Sequence, residues 1–301
     1  MPSAFPFHGL CAFPITPADE HGCVDVEMLA RLLDRLCEAG VDSIGLLGST
    51  GTYAYLARDE RLRAVEAAVE CVRGRVPLVV GVGALRTDWA RDLARDAEAA
   101  GADALLMAPV SYTPLTQEEA YEHYRAVTDT SGLPLCLYNN PGTTHFTFGL
   151  DLLERLSRLS TIRAVKMPLP SDGDYGIEIA TLRNRTELAV GYSGDWGTAD
   201  ALLAGADAFY SVLGGTLPTP IVALARAAKD GDAEEARRAD AELSPLWETF
   251  NTFGSLRVMY VLLDLLDLGK MAPPPPILPL GTEAQARVRA AVEPLLAHRW
   301  S

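Results

Sequence analysis

The sequence predicts an α/β protein, a (β/α)8 TIM barrel over residues 1–231 with additional C-terminal helices over 232–301 packed on it. Three observations predict this. Eight apolar runs of strand length lie around 10–15, 43–48, 78–83, 104–108, 134–139, 162–166, 187–191 and 207–212. They are continuous, not alternating, as strands buried on both faces should be. Amphipathic helical patterns separate them, for example over 26–38, 58–72, 88–99, 117–129 and 217–229, and regular β-α alternation favours a parallel barrel. Finally, one punctuation recurs: Ala39-Gly40-Val41-Asp42, Ala100-Gly101-Ala102-Asp103 and Ala204-Gly205-Ala206-Asp207, before the second, fourth and eighth strands.

Taken in order, the first strand lies in "GLCAFPITP", which is not the Gly-rich phosphate turn that would open a doubly wound sheet, the alternative architecture. In the repeated punctuation the glycine suits the left-handed position that ends a helix, and the aspartate stands just before the strand. Pro77 and Pro134 announce the third and fifth strands instead. After about residue 232 only helical patterns remain, over 233–249, 254–268 and 283–298. The run Pro273–Pro276 reads as a stiff surface connection. The roughly 25 residues beyond it are too few to fold alone.

Composition narrows the function classes. With 49% hydrophobic and 22% charged residues among 301, the chain reads as globular. No apolar run approaches the roughly 20 residues of a membrane span, and Met1 to Leu10 lacks the features of a secretory signal. The five cysteines contain no C-x-x-C pair, against zinc and disulfide frameworks, so a reducing cytoplasm is expected. The five histidines show no ligand spacing, and no metal is expected. A formal charge of −14 argues against nucleic acid. A small-molecule substrate is the expectation.

In such barrels chemistry sits at the C-terminal ends of strands. "IRAVKMP" (Ile162–Pro168) closes the sixth strand on Lys166. A lone lysine there reads as a solvated strand end, or as an amine poised to attack a carbonyl carbon. Its company favours the second reading. Tyr138 ends the fifth strand in "LCLYNNPGTTH", "GSTGTY" (Gly48–Tyr53) follows the second, and "SGDWG" (Ser193–Gly197) follows the seventh. All point to one mouth. Gly48-Ser49-Thr50-Gly51 is a plain turn, or a nest of backbone N–H groups for a carboxylate. Arg86 after the third strand, His145 after the fifth, Asp195 after the seventh and Ser211 closing the eighth are further candidates for substrate contact, each with a solvated-loop alternative.

These pieces together resemble the pyruvate-dependent class I aldolase superfamily that contains dihydrodipicolinate synthase and N-acetylneuraminate lyase. "GSTGT" matches G-[TS]-T-G-E, "YNNP" matches Y-N-x-P, "AVKMP" matches the G-[IV]-K segment, and "SGDW" matches S-G-D-D. The resemblance spans nearly the whole chain. It implies an eight-stranded barrel with added helices, a homo-oligomer (tetramer or dimer), and no metal or organic cofactor. It implies that Lys166 forms a Schiff base with pyruvate or another 2-oxo acid, that Tyr138 shuttles protons and Ser49 relays them, and that the Ser49 and Thr50 amides bind the carboxylate.

Three departures bear on substrate. The motif's glutamate is Thr52. The family's P-Y-Y segment is Pro109-Val110-Ser111-Tyr112, so Tyr112 is shifted by one from the tyrosine that completes a proton relay between subunits. The synthase's arginine for a second carboxylate is Thr143. The expected function is a Schiff-base lyase or aldolase acting on a 2-oxo acid. 4-Hydroxy-tetrahydrodipicolinate (dihydrodipicolinate) synthase and a non-catalytic metabolite-binding barrel are the alternatives.

Overall fold

The computed structural model describes residues 5–298. The expectations placed on residues 1–4 and 299–301 lie outside the described residues. Eight parallel strands close in sequence order, β1 pairing with β8. They are β1 (Gly9–Ala12), β2 (Ser43–Leu46), β3 (Leu78–Gly81), β4 (Ala104–Met107), β5 (Leu135–Tyr138), β6 (Ile162–Pro168), β7 (Ala189–Ser193) and β8 (Ala208–Ser211). The helices are α1 (Val26–Ala39), α2 (Arg58–Val72), α3 (Thr87–Ala100), α4 (Gln117–Thr128), α5 (Pro141–Thr144), α6 (Leu150–Ser157), α7 (Tyr175–Arg185), α8 (Thr198–Leu203) and α9 (Pro218–Lys229). Three more follow the barrel: α10 (Ala233–Phe253), α11 (Ser255–Leu265) and α12 (Thr282–His298). The predicted (β/α)8 barrel with C-terminal helices is the fold observed.

Continuous apolar runs are explained by burial on two sides. Along β6, Ala164 faces the barrel interior with Cys11, Leu106 and Cys136, while Val165 joins the layer beneath the helices. Alternation then carries Lys166 inward. Several strands end sooner than predicted. The run at 10–15, for instance, pairs only over Gly9–Ala12. Beyond that point the chains diverge to form the mouth, and their apolar residues pack there without strand pairing.

The repeated punctuation has a structural task. Gly40 and Gly101 cap α1 and α3 in left-handed conformation, at φ 75° and 97°. Each aspartate then latches its own strand to the start of the preceding one. The Asp42 carboxylate accepts from the Leu10 N–H at 2.7 Å, and the Asp42 N–H donates to the Leu10 carbonyl at 3.0 Å. Asp103 does the same to Leu78 at 2.8 and 3.0 Å, and Asp207 to Val190 at 2.8 Å in both directions. A side chain on Gly9 would meet the Asp42 carboxylate at 2.1 Å, so the first latch requires glycine.

In the helical extension α10 runs through Pro245 to Phe253, past the predicted end at 249. Leu246, Trp247 and Phe250 are buried in that stretch, and their packing carries the helix on. It lies along α8 and α9 and against α11 and α12. Among the described residues no helix is long and apolar enough to cross a membrane.

Candidate active site

Lys166 is 5% exposed, seated on the inner side of β6. Register places it beside Tyr138 of β5 and Gly191 of β7. Gly191 has no side chain for a spatial reason: a Cβ there would lie 2.6 Å from the Tyr210 ring. The Lys166 amine therefore rests among rings, 4.0 Å from the Tyr138 centroid, 4.2 Å from Phe13 and 5.3 Å from Tyr210. The Tyr138 hydroxyl accepts from the Asn140 side-chain amide at 3.0 Å.

Above the lysine opens a cavity of about 900 Å³ at the C-terminal mouth of the barrel. Of the residues singled out from sequence, Lys166, Tyr138, Ser49, Thr50, Thr143 and Asp195 line it together. Asp195 is 1% exposed. It accepts from the Ser211 hydroxyl and from the Val212 and Leu213 N–H groups, both at 3.1 Å. Burial pushes its carboxyl up from the ordinary range, against those hydrogen bonds. Asp195 and Ser211 thus tie the loop after β7 to the turn after β8. With its hydroxyl spent on Asp195, Ser211 supports the wall and is not itself among the lining residues.

The other candidates stand elsewhere. Gly48 packs on Phe13, where a Cβ would meet the ring at 2.5 Å. Arg86 turns away from the mouth because Asp88 holds its guanidinium at 2.8 Å, with Trp89 beneath it. His145 ends α5, exposed, in left-handed conformation. Tyr112 is 97% exposed and outside the cavity of its own chain.

Several groups around the amine and the cavity were given no role from sequence. Phe13 and Tyr210 face inward because they share strand parity with Cys11 and Ala208, a signal available by counting in twos from each strand. Tyr53 closes the motif "GSTGTY" that the sequence places at the mouth, but carried no role of its own there. Its phenol is pushed up to about 12 by burial. Beneath it lies Arg61, whose guanidinium donates to the Gly81 and Gly83 carbonyls at 2.8 and 3.2 Å. Burial lowers that guanidinium to about 10. Gly254, between α10 and α11, and Ser255 and Leu256, which open α11, complete one wall, so the C-terminal helices share in the site. Among the described residues no group of three His, Cys, Asp or Glu side chains is placed to hold a metal.

A family model described as the dihydrodipicolinate synthetase family matches residues 6–295. The chain belongs to that family. As a member of the dihydrodipicolinate synthetase family, it is a lyase of the class I aldolase type. A relative from Neisseria meningitidis serogroup C / serotype 2a, named 4-hydroxy-tetrahydrodipicolinate synthase, is 34% identical over 280 residues, covering 93% of this chain and 95% of the relative. The crystal structure of a dihydrodipicolinate synthase from Agrobacterium tumefaciens superposes with a TM-score of 0.95 at 58% identity, over 96% of this chain and 98% of that one. A structure described as the first monomeric dihydrodipicolinate synthase variant superposes at 0.88 with 26% identity, over 95% and 96% of the two chains.

Proposed function

We propose that this family member is a Schiff-base aldolase whose Lys166 amine adds to the ketone of pyruvate or another 2-oxo acid. The observation that carries the reading is the buried amine lining the cavity, over the Tyr138 ring and without a counter-ion among the described residues. Addition forms a C–N bond and sends the carbonyl pair to oxygen, which takes a proton. Loss of water then leaves an iminium, an electron sink for making or breaking the neighbouring carbon–carbon bond. Tyr138, oriented by Asn140, is the group to move those protons. Ser49 relays them, and the Ser49 and Thr50 amides bind the carboxylate.

Borohydride reduction in the presence of pyruvate tests this. We expect one reduced three-carbon adduct, on Lys166 by peptide mass mapping, lost in Lys166→Ala. An adduct on Lys229 or Lys270 instead overturns the assignment. No adduct with any 2-oxo acid supports the non-catalytic binding barrel.

The second reading, 4-hydroxy-tetrahydrodipicolinate synthase, is favoured by the names of the curated relatives. The lining speaks against it. Lys166 and Asp195 are the only charged side chains among the described lining residues, and Thr143 offers a neutral hydroxyl where the synthase has arginine. A second carboxylate thus finds no bidentate cation. Loss of one charge-assisted contact costs on the order of tenfold to a hundredfold. Condensation of pyruvate with aspartate semialdehyde should therefore be poor beside retro-aldol cleavage of 2-oxo acids with an uncharged, hydroxylated tail. Efficient condensation, near 10⁵ M⁻¹s⁻¹, makes the synthase the correct reading.

We also propose a homo-oligomer, a tetramer or dimer. Leu85 on the loop after β3, Trp89 in the first turn of α3 and Tyr112 on the loop after β4 are 58%, 53% and 97% exposed, an apolar surface suited to a second copy. Sedimentation at the mass of one chain would refute it.

A further inference from the structure

Phe13 has no proton to give and no hydrogen bond to make through its side chain, yet the backbone around it is cleared to seat its ring. A Cβ on Gly45 would lie 2.2 Å from that ring, and one on Gly48 2.5 Å. On the far side Gly215 lies against the Phe13 carbonyl, where a Cβ would come within 2.1 Å. The face so positioned stands 4.2 Å from the Lys166 amine. Among the described residues that amine has neither a hydrogen bond nor an ion pair. Asp195 acts on it through space only, its oxygens being held by Ser211, Val212 and Leu213. Rings are what a positive charge on this nitrogen meets.

The face of an aromatic ring attracts a cation, more so where water is excluded. A carboxylate would attract it more strongly, and would thereby hold the amine as unreactive ammonium. Rings give the weaker attraction that a nucleophilic amine tolerates. Resting on the Schiff-base reading above, we propose that Phe13 is a charge-stabilising residue of this reaction. Its ring face holds the positive charge that appears on the Lys166 nitrogen as the neutral carbinolamine loses water. In that step the C–O bond breaks and the hydroxyl takes a proton and leaves as water. The nitrogen lone pair becomes the second C–N bond, and one positive charge remains.

The ring acts on any cation at that nitrogen, ammonium or iminium. Its contribution therefore emerges where the competing species are neutral, on the alkaline side. The titratable groups facing the amine are Cys11 on β1, Cys136 and Tyr138 on β5, Asp195 after β7 and Tyr210 on β8. Fluorinating Phe13 weakens the ring's negative face while keeping its shape, and leaves each of those groups in place.

The experiment introduces 4-fluoro-, 3,5-difluoro- and 3,4,5-trifluorophenylalanine at position 13 of the full chain. The fraction of Lys166 trapped by pyruvate and borohydride is then followed against pH. We expect the alkaline limb to move to lower pH with each fluorine, by roughly half to one and a half pH units across the series. That is a roughly threefold to thirtyfold loss of adduct at its alkaline end. Melting temperatures should be unchanged, and Phe13→Leu should follow the trifluoro variant. A limb that stays fixed across the series, with the adduct still on Lys166, overturns the role of Phe13 and leaves the Schiff-base reading standing. Wild-type protein that yields no Lys166 adduct overturns both.

Discussion

The two ends of the barrel are built on different plans. At the N-terminal end one device recurs: an aspartate entering β2, β4 or β8 grips Leu10, Leu78 or Val190 through a carboxylate and a backbone N–H. At the C-terminal end nothing recurs. Each loop supplies a different group: Phe13 after β1, Ser49 and Thr50 after β2, Asn140 after β5, Asp195 after β7. A repeated need, closing strand against strand, is met by a repeated residue. The proposed reaction needs one amine, one proton carrier and one carboxylate cradle, so each is met once.

The comparison implies that upper residues change rate and lower ones change stability. Its strongest test is Tyr138→Phe, which keeps the ring and removes the proton. Turnover on the true substrate should fall by about 10² to 10⁴ with little change in melting temperature. A loss below tenfold would put Tyr138 with the scaffold.

Next in size is a pH effect in the helical layer between the two ends. His123 on α4 is 7% exposed and bonds the Thr87 hydroxyl at 2.8 Å. Burial lowers its imidazole to about 4. The unfolded chain takes a proton near pH 6.5 that the folded chain refuses until about pH 4. Stability from this group is thus complete above pH 6.5 and lost progressively on acidification, to the extent of about 3 kcal/mol. Denaturant melts of His123→Gln should show a flatter stability curve in that window. Its pH–rate profile should match wild type; a changed profile would connect His123 to the chemistry.

Smaller again is a broken latch. Asp103→Ala leaves the Leu78 N–H without its carboxylate and should lower stability by about 1–3 kcal/mol. The turnover number of the folded protein should hold. If turnover falls and stability does not, the division between the two ends is wrong. The smallest expected effect is at Asn140→Ala, which frees the Tyr138 hydroxyl from one neutral hydrogen bond. Such a bond is worth about 0.5–1.5 kcal/mol, so turnover should drop by roughly twofold to tenfold. An undiminished rate would mean that Tyr138 is oriented by its packing alone.

Much of this architecture was legible in the sequence, and for a physical reason. Strands buried on two faces write themselves as apolar runs, and the recurring aspartate marks three of the eight strand starts. Lys166, Tyr138, Ser49 and Thr50 were legible because motif and strand order agree on one mouth. Arg86 misled because a strand-end position says nothing of a neighbour such as Asp88, two residues on, that captures the guanidinium. Ser211 and Asp195 were read as separate contacts, and their mutual bond depends on the spacing of β7 and β8, which no local pattern encodes. Tyr53 was placed at the mouth with its motif but given no role for the same kind of reason: its support depends on Arg61 reaching the Gly81 and Gly83 carbonyls from another element.

The aspartate latches also bear on the order in which the chain folds. They join residues 32, 25 and 17 positions apart, whereas β1 meets β8 through Gly9 and Asp207, almost the full barrel apart in sequence. Contacts between near neighbours in the chain form faster than distant ones, since less chain entropy is lost in closing them. The doublets β1–β2, β3–β4 and β7–β8 should therefore acquire protected amides first in pulsed hydrogen exchange during refolding. The remaining pair, β5–β6, has no such latch among the described residues and carries a register shift at Leu135 and Cys136. It also holds Tyr138 and Lys166. The proposed reactive pair is thus expected to settle late, positioned by doublets already formed on either side of it.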